Sequence, residues 1–356
     1  MKIKRTLAEK SRISEVDFEQ LEFGRIFSDH MFEMVWSDGK WQDPAIKPYG
    51  PISFTPALNV FHYGQSIFEG MKGYYVDENT LHLFRPADHH ARMNRSSERM
   101  CIPKTDYPLF LEAIEELLKL DGGWVPRKHG QALYIRPHVF AAEEYLAARS
   151  SSIFRFYIIT SPVGNYYREG GNPVALTTTD KFVRAVPGGT GEAKASGNYA
   201  ASFYPAQQAQ SEGYTQVLWL DAKEHRFIEE VGTMNIFFLI DGTLVTPALS
   251  GSVLNGITRR SVLQLAQSWG MEVLERRIPI DEVMSAGKDG SLQEAFGSGT
   301  AAVISPVGRI HHKGETLTIS GNRPGPFSEK MYRAITGIQY GKADDPFGWT
   351  HKVDLS

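Results

Sequence analysis

The sequence has a single cysteine and no long hydrophobic run. Cys101 is the only cysteine among 356 residues, which excludes an intramolecular disulfide and any zinc or iron-sulfur site built from several cysteines. The longest uninterrupted apolar run, Ile236 to Ile240, is far shorter than the roughly 20 residues that a helix needs to cross a bilayer. We therefore expect no disulfides and no membrane span, and a reducing cytoplasm fits the cysteine content.

The sequence also lacks an excess of charge of either sign. Lys and Arg number 38 against 41 Asp and Glu, which leaves a formal net charge of −3. Without a global positive field, nucleic acid is not an expected partner. The basic first segment, MKIKRTLAEKSR, is not followed by the apolar stretch of a secretory signal, so we expect an ordinary frayed terminus.

Length and composition predict two folded domains. A chain of 356 residues, 42% hydrophobic and 22% charged, is globular in composition and longer than a single core usually supports. The glycine-rich, polar segment GNYYREGGNP has the composition of a connector. We predict an α/β (α+β) protein with a small N-terminal α/β domain over residues 1–163, an interdomain loop over 164–173 and a larger C-terminal domain over 174–356.

Local patterns predict elements of both kinds, with mixed sheets. Strands are expected at 132–140, 154–163 and 216–221, and Asp241-Gly242 between two apolar runs predicts a hairpin. One helix is predicted from Pro86 to about Met100, and another from about Pro108 to Leu120, where Asp-Gly-Gly follows.

Lys194 is the first candidate for chemistry. It lies in GGTGEAKASGNYA, whose small residues would let a bulky planar group approach the backbone. A lone lysine is usually a solvated surface residue, so this segment needs support from elsewhere in the chain. The phosphate-binding loop of nucleotide hydrolases is a poor alternative, because Ala193 replaces its last glycine and Ala195 replaces its Ser or Thr.

Glu230 provides that support. If Lys194 holds a pyridoxal cofactor, a carboxylate beside the ring nitrogen is needed to keep that nitrogen protonated. Glu230, in the strand-like FIEEVGTMN, could do so. The alternative is that Glu229 and Glu230 alternate along a strand, with one of them solvated.

Two glycine-opened turns could hold a cofactor phosphate. The first, residues 254–258, leads into a helical pattern, so the amides of Ile257 and Thr258 would point at an anion. The second is GSGTAAVISPV, in which Thr300 and Ala301 could bind a phosphate or carboxylate oxygen. Either could instead be an ordinary capped turn.

Arg92, Arg95 and Arg99 line one side of the helix that starts at Pro86. Most such stripes are solvated. One inward arginine would add a bidentate clamp for the phosphate, because a guanidinium matches phosphate geometry better than an ammonium does.

These strings together resemble the branched-chain aminotransferases of the fold-type-IV pyridoxal-phosphate enzymes, particularly the form shared by eukaryotes and some bacteria. The resemblance runs from FGRIFSDHM (23–31) to GIQYGKADDPFGWT (337–350). Its most specific segments are FHYGQSIFEGMKGY (61–74), GEAKASGNYA (191–200) and EEVGTMNIFF (229–238).

The resemblance implies pyridoxal 5′-phosphate as cofactor. Lys194 would hold it covalently and then move the proton between the substrate α-carbon and the cofactor. Tyr199 would bind the ring oxygen and Glu230 the ring nitrogen. The remaining cofactor-binding residues that it implies are Arg92, Thr233, Leu254, Ile257, Thr258 and Thr300.

The resemblance also implies an aromatic substrate pocket. It maps the pocket onto Phe23, Tyr63, Phe68, Tyr134, Arg136, Thr300 and Ala301. Such a pocket favours leucine, isoleucine and valine, while its tyrosines and arginine would accept the second carboxylate of glutamate. For any single aromatic residue, core packing is the alternative.

The predicted reaction is reversible transfer of the amino group of L-leucine, L-isoleucine or L-valine to 2-oxoglutarate, giving the 2-oxo acid and L-glutamate. A D-amino acid aminotransferase or an aminodeoxychorismate-lyase-like enzyme of the same fold is the alternative. A homodimer is expected by resemblance. Some animal members carry a redox Cys-x-x-Cys after the second turn, where this chain has Ala302 and Ser305, so thiol regulation is not expected there.

Overall fold

The computed structural model describes residues 2–164 and 173–355 of the chain. Within them, the strands in chain order are β1 Lys4–Arg5, β2 His30–Ser37, β3 Lys40–Pro48, β4 Ser66–Phe68, β5 Met71–Asp77, β6 Thr80–Phe84, β7 Ala132–Ala141, β8 Phe154–Val163, β9 Val174–Thr178, β10 Gln216–Leu220, β11 Ile228–Val231, β12 Asn235–Ile240, β13 Thr243–Pro247, β14 Val273–Arg276, β15 Leu292–Gly299, β16 Val303–His312, β17 Glu315–Thr318 and β18 Thr350–Asp354. The α-helices are α1 Asn59–Tyr63, α2 Pro86–Arg99, α3 Tyr107–Asp121, α4 Ser196–Ser211, α5 Ile257–Ser268, α6 Ile280–Asp289 and α7 Pro326–Gln339. Short 3-10 turns lie at Ile13–Glu15, Gly122–Trp124 and Ser320–Asn322.

The described residues form two compact units, each built on one sheet. The first unit contains residues 2–164, Ala193–Gly197 and 337–355, and the second contains 173–192 and Asn198–Thr336. Most of the predicted interdomain loop, residues 165–172, lies outside the described residues, and the predicted boundary stays a prediction.

The sheet of the first unit has the order β1-β3-β2-β8-β7-β5-β6-β18, with β4 paired to β7. Its pairs are antiparallel except β1 with β3. Helix α3 covers one face, and its residues Phe110, Ile114, Leu117 and Leu118 are completely buried in a core with Phe156 and Ile158 of β8. The 3.6-residue spacing of the apolar side chains in this helix produces that buried face.

The sheet of the second unit has the order β11-β10-β9-β16-β15-β12-β13-β14, with β17 paired to β16. Three of its pairs are parallel, namely β9 with β10, β9 with β16 and β13 with β14. Its core is formed by the strands and by apolar residues of α6. The prediction of mixed sheets is thus confirmed in both units.

The local predictions agree closely with these elements. The helix predicted from Pro86 ends at Arg99, and the strand predicted at 154–163 has those bounds. Asp241 and Gly242 both have positive φ, 47° and 77°, as a two-residue hairpin turn of type I′ requires. Among the described residues, every helix is too short or too polar to span a membrane.

Candidate active site

Lys194 is fixed through its backbone to the first unit. Its amide N–H donates to Ser96 Oγ of α2 at 2.9 Å, and its carbonyl oxygen accepts from the amide of Phe68 in β4 at 3.1 Å. The next residue, Ala195, forms a bridge with Ile67. The lysine side chain is therefore attached to a rigid support, and its Nζ lies 4.7 Å from the centre of the Phe68 ring.

Four predicted substrate residues form one arginine-aromatic cluster in the same unit: Phe23, Phe68, Tyr134 and Arg136. The Arg136 guanidinium carbon lies 4.5 Å from the Phe68 ring centre, and its Nη2 donates to Tyr134 Oη at 2.9 Å. Phe23 packs edge-on against Tyr134, with ring centres 4.9 Å apart. Tyr134 and Arg136 are two residues apart on β7, so the strand repeat directs both to one face.

Gly70 is required for the position of Tyr134. A Cβ atom at Gly70 would lie 2.0 Å from Tyr134 Oη, so only glycine leaves room for the hydroxyl. The contacts of Tyr63 differ from those of the arginine-aromatic cluster. It is 44% exposed, and its hydroxyl donates to the Leu146 carbonyl oxygen.

Arg92 is the inward arginine of the predicted stripe, whereas Arg95 and Arg99 are exposed. Its Nε and Nη2 donate to the two carboxylate oxygens of Glu69 at 2.7 and 2.9 Å. His89 Nδ1 lies 2.8 Å from Glu69 Oε2. Burial alone would raise the pKa of Glu69, but the charge and hydrogen bonds of Arg92 outweigh it and hold that pKa well below its usual range. Glu69 therefore stays ionised and orients the guanidinium.

Glu69 and Lys72 are two residues of this region that the sequence did not single out. Lys72 lies on β5 directly opposite Tyr134 of β7, and burial lowers its pKa to about 8. The alternation in EGMKGYY could have indicated that Lys72 shares a sheet face with the cluster.

In the second unit, Glu230 is 3% exposed on β11. Its Oε1 accepts from Asn235 Nδ2 at 3.0 Å and from the Leu254 amide at 3.1 Å, and its Oε2 lies 2.5 Å from Arg184 Nε. Glu229 is also buried, at 5%. The alternative in which one of the two carboxylates is solvated is therefore wrong.

Glu230 lines a small cleft. The other residues of its wall are Arg184, Asn198, Tyr199, Ser202, Gly232, Thr233 and Leu254. Three of the predicted cofactor residues, Tyr199, Thr233 and Leu254, thus meet Glu230 in one place. Arg184 was missed by the sequence reasoning, because nothing in KFVRAVPGG distinguishes it from a surface arginine.

The two predicted turns lie at the start of a helix and between two strands. Helix α5 begins at Ile257 with Gly256 before it, and Ile257 and Thr258 are buried in its first turn. Thr300 and Ala301 lie in the loop between β15 and β16, which closes at the pair Gly299 and Val303.

A helix N-terminus with exposed amide donors is a suitable anion site. A φ of +61° at Val303 is unusual for a β-branched residue and marks the second turn as strained.

Comparison with known proteins places this site in context. A family model described as amino-transferase class IV matches residues 66–310. Branched-chain-amino-acid aminotransferase 2 of Bacillus subtilis (strain 168) is 51% identical over 338 residues, which cover 95% of this chain and 93% of that protein.

Two solved structures are similar over most of the chain. The branched-chain aminotransferase of the archaeon Thermoproteus uzoniensis with norvaline has a TM-score of 0.73 and 26% identity, covering 91% of this chain and 100% of that one. The branched-chain amino acid aminotransferase of T.th. with pyridoxamine 5′-phosphate has a TM-score of 0.71 and 25% identity, covering 89% and 97%. The predicted fold class is confirmed by these likenesses.

Proposed function

Because the chain belongs to the class IV aminotransferase family, we propose that it transfers the amino group reversibly between branched-chain L-amino acids and 2-oxoglutarate, with pyridoxal 5′-phosphate as cofactor. The observation that carries this proposal is the buried Glu230 carboxylate, which is held by Asn235, Leu254 and Arg184 in a cleft shared with Tyr199.

The residues of the second unit fit such a cofactor. Glu230 would hold a proton on the ring nitrogen, and Tyr199 would donate a hydrogen bond to the ring oxygen. The amides of Ile257 and Thr258 would bind the phosphate at the start of α5, with Thr300 adding a hydroxyl. Bound pyridoxal phosphate supplies an electron sink for the charge that develops when the α-proton leaves.

The residues of the first unit supply the amine and further binding groups. Lys194 Nζ would bind the cofactor covalently and, once released, take the proton from the substrate α-carbon. Arg92, oriented by Glu69, would bind phosphate oxygens. The aromatic ring of Phe68 lies beside Nζ, 4.7 Å from its centre, and bounds the space around the amine on one side.

The arginine-aromatic cluster fits two kinds of side chain. Phe23, Phe68 and Tyr134 offer apolar ring surface to a branched aliphatic group, and each methylene buried there is worth about 0.8 kcal/mol. Arg136 and the Tyr134 hydroxyl could donate hydrogen bonds to the second carboxylate of glutamate. Thr300 and Ala301 would bind the α-carboxylate through the turn amides.

The visible absorbance spectrum tests this function. We expect the protein loaded with pyridoxal phosphate to show a yellow band that L-leucine bleaches and D-alanine does not. Lys194→Ala should lose the band and the activity, while the exposed Lys181→Ala should keep both. Bleaching by D-alanine would favour a D-amino acid aminotransferase, pyruvate release would favour the lyase, and failure to take up the cofactor would refute the proposal.

Three further expectations complete the proposal: a homodimer, a cytoplasmic location and a domain boundary within residues 164–173. Sedimentation at several concentrations would measure the mass, fractionation of cells would locate the protein, and limited proteolysis should cut first near the boundary. A monomeric mass in the active protein would contradict the first expectation.

A further inference from the structure

The positive charge of Arg184 acts on two neighbouring buried carboxyl groups, those of Glu229 and Glu230. Its Nε is 2.5 Å from Glu230 Oε2, and its side chain is only 9% exposed. Its Nη2 donates to the carbonyl oxygens of Ser252 and Gly191 at 2.6 and 3.1 Å. The guanidinium is therefore held by two backbone carbonyls and forms a close ion pair with Glu230.

The two carboxyl groups differ in their surroundings. Glu229 accepts a hydrogen bond from Ser252 Oγ, and burial raises its pKa, although Ser252 and Arg184 partly offset this rise. Glu230 has both oxygens engaged by donors or by the guanidinium. The paired cation therefore lies at Glu230, whereas Glu229 has a serine hydroxyl as its hydrogen-bond donor.

We propose that Arg184 is a positioning residue, which fixes the charge and the orientation of the Glu230 carboxylate for the ring nitrogen of the cofactor. This inference rests on the proposed function. A buried carboxylate without a paired cation tends to take up a proton or to rotate toward other donors. Arg184 prevents both, because its own position is determined by the Gly191 and Ser252 carbonyls rather than by Glu230 alone.

The position of Gly191 supports the same arrangement. A Cβ atom there would lie 2.5 Å from the Ser252 carbonyl oxygen and 2.5 Å from the Ala185 Cβ. The glycine thus allows its backbone to approach Ser252 closely, and this approach brings together the two carbonyl groups that bind Arg184.

The test compares Arg184→Met, Arg184→Lys and Glu229→Gln with the unaltered protein. Two quantities are measured: the dissociation constant of pyridoxal phosphate by equilibrium dialysis, and kcat and KM with L-leucine. Arg184→Met should raise the dissociation constant about 10-fold or more and lower kcat, since the buried ion pair of Glu230 is lost. KM for L-leucine should stay within about 2-fold, because Arg184 contacts the acid and not the substrate.

The other variants separate a positioning role from a structural one. Arg184→Lys retains the charge and should recover part of the affinity. Glu229→Gln alters the neighbouring acid, which is bound by Ser252, and should leave both quantities near those of the unaltered protein. If Arg184 acts through Glu230, Arg184→Met should add almost nothing to Glu230→Gln in the double variant.

Several outcomes would overturn the inference. One is an Arg184→Met protein with unaltered affinity and kcat. Another is a double variant in which the losses caused by Arg184→Met and Glu230→Gln multiply. If Arg184→Met fails to fold, Arg184→Lys carries the test, and an unaltered affinity there together with a lowered one in Glu229→Gln would refute the assignment. Failure of the unaltered protein to bind pyridoxal phosphate would instead refute the proposed function.

Discussion

Replacing His138 should change how folding stability depends on pH. His138 lies on β7 between the rings of Phe140 and Tyr157, with ring centres 5.4 and 5.0 Å away. Its Nδ1 is buried and has no hydrogen-bond partner among the described residues. Burial, assisted by the positive charge of Arg136, lowers its pKa from 6.5 to about 4.

The direction in which stability changes with pH follows from proton binding. In the unfolded chain this histidine takes up a proton near pH 6.5, and in the folded chain only near pH 4. Between these values the unfolded state binds more protons, so stability falls as the pH drops from about 6.5 to about 4. At about 1.4 kcal/mol for each pH unit, the loss has an upper limit of about 3 kcal/mol, since His138 is not completely buried.

Urea unfolding of the cofactor-free protein at several pH values between 4 and 7.5 measures this loss. The stability of His138→Phe minus that of the unaltered protein should be constant above pH 6.5 and should rise toward pH 4. His138→Leu should show the same rise toward pH 4, because the rise comes from the lost ionisation of the histidine. Its stability difference above pH 6.5 should have another value, because leucine packs differently and packing does not depend on pH. A difference that changes by less than about 1 kcal/mol in both variants would refute the reasoning.

Two further substitutions test the supports of the site. Glu69→Gln leaves a buried guanidinium without its counter-ion, so urea unfolding should show a loss of about 3–5 kcal/mol; Glu98→Gln, in an exposed pair, should cost far less, and equal losses would contradict this. Gly256→Ala places a Cβ 2.0 Å from Asn235 Oδ1, so equilibrium dialysis should show weaker binding of pyridoxal phosphate, by about 10-fold if one hydrogen bond to a charged group is lost. Gly50→Ala has open space around it and should bind normally, and a Gly256→Ala protein that binds as tightly as this control would contradict the role of the glycine.

The sequence predicted the elements best where local chemistry sets their ends. Pro86 starts α2, and Asp241-Gly242 forms the hairpin between β12 and β13. These signals depend on the φ values that proline imposes and glycine permits, so they can be recognised without knowledge of the tertiary structure.

Burial on both faces of a strand could not be predicted in this way. Alternation along FIEEV suggests one solvated side, yet Glu229 and Glu230 are both buried, because each carboxylate has partners from other segments of the second unit. Arg184 was missed for a related reason. Its partner is distant in the sequence, and only the folding of the second unit brings the two charges together.

The glycine-rich segment around Lys194 shows how a correct motif can have a different physical basis. Its small residues suggested room for a planar group, but the structure gives Gly191 another reason. The close approach of its backbone to Ser252 leaves no space for a Cβ, and its carbonyl binds Arg184. Lys194 itself is positioned by Ser96 and Phe68, which lie far earlier in the chain. Gly191, at one end of the segment, binds Arg184, the arginine paired with Glu230. Lys194, further along, is held by Ser96 and Phe68. Replacing Arg184 or Ser96 should therefore lower the activity although the motif itself is unchanged.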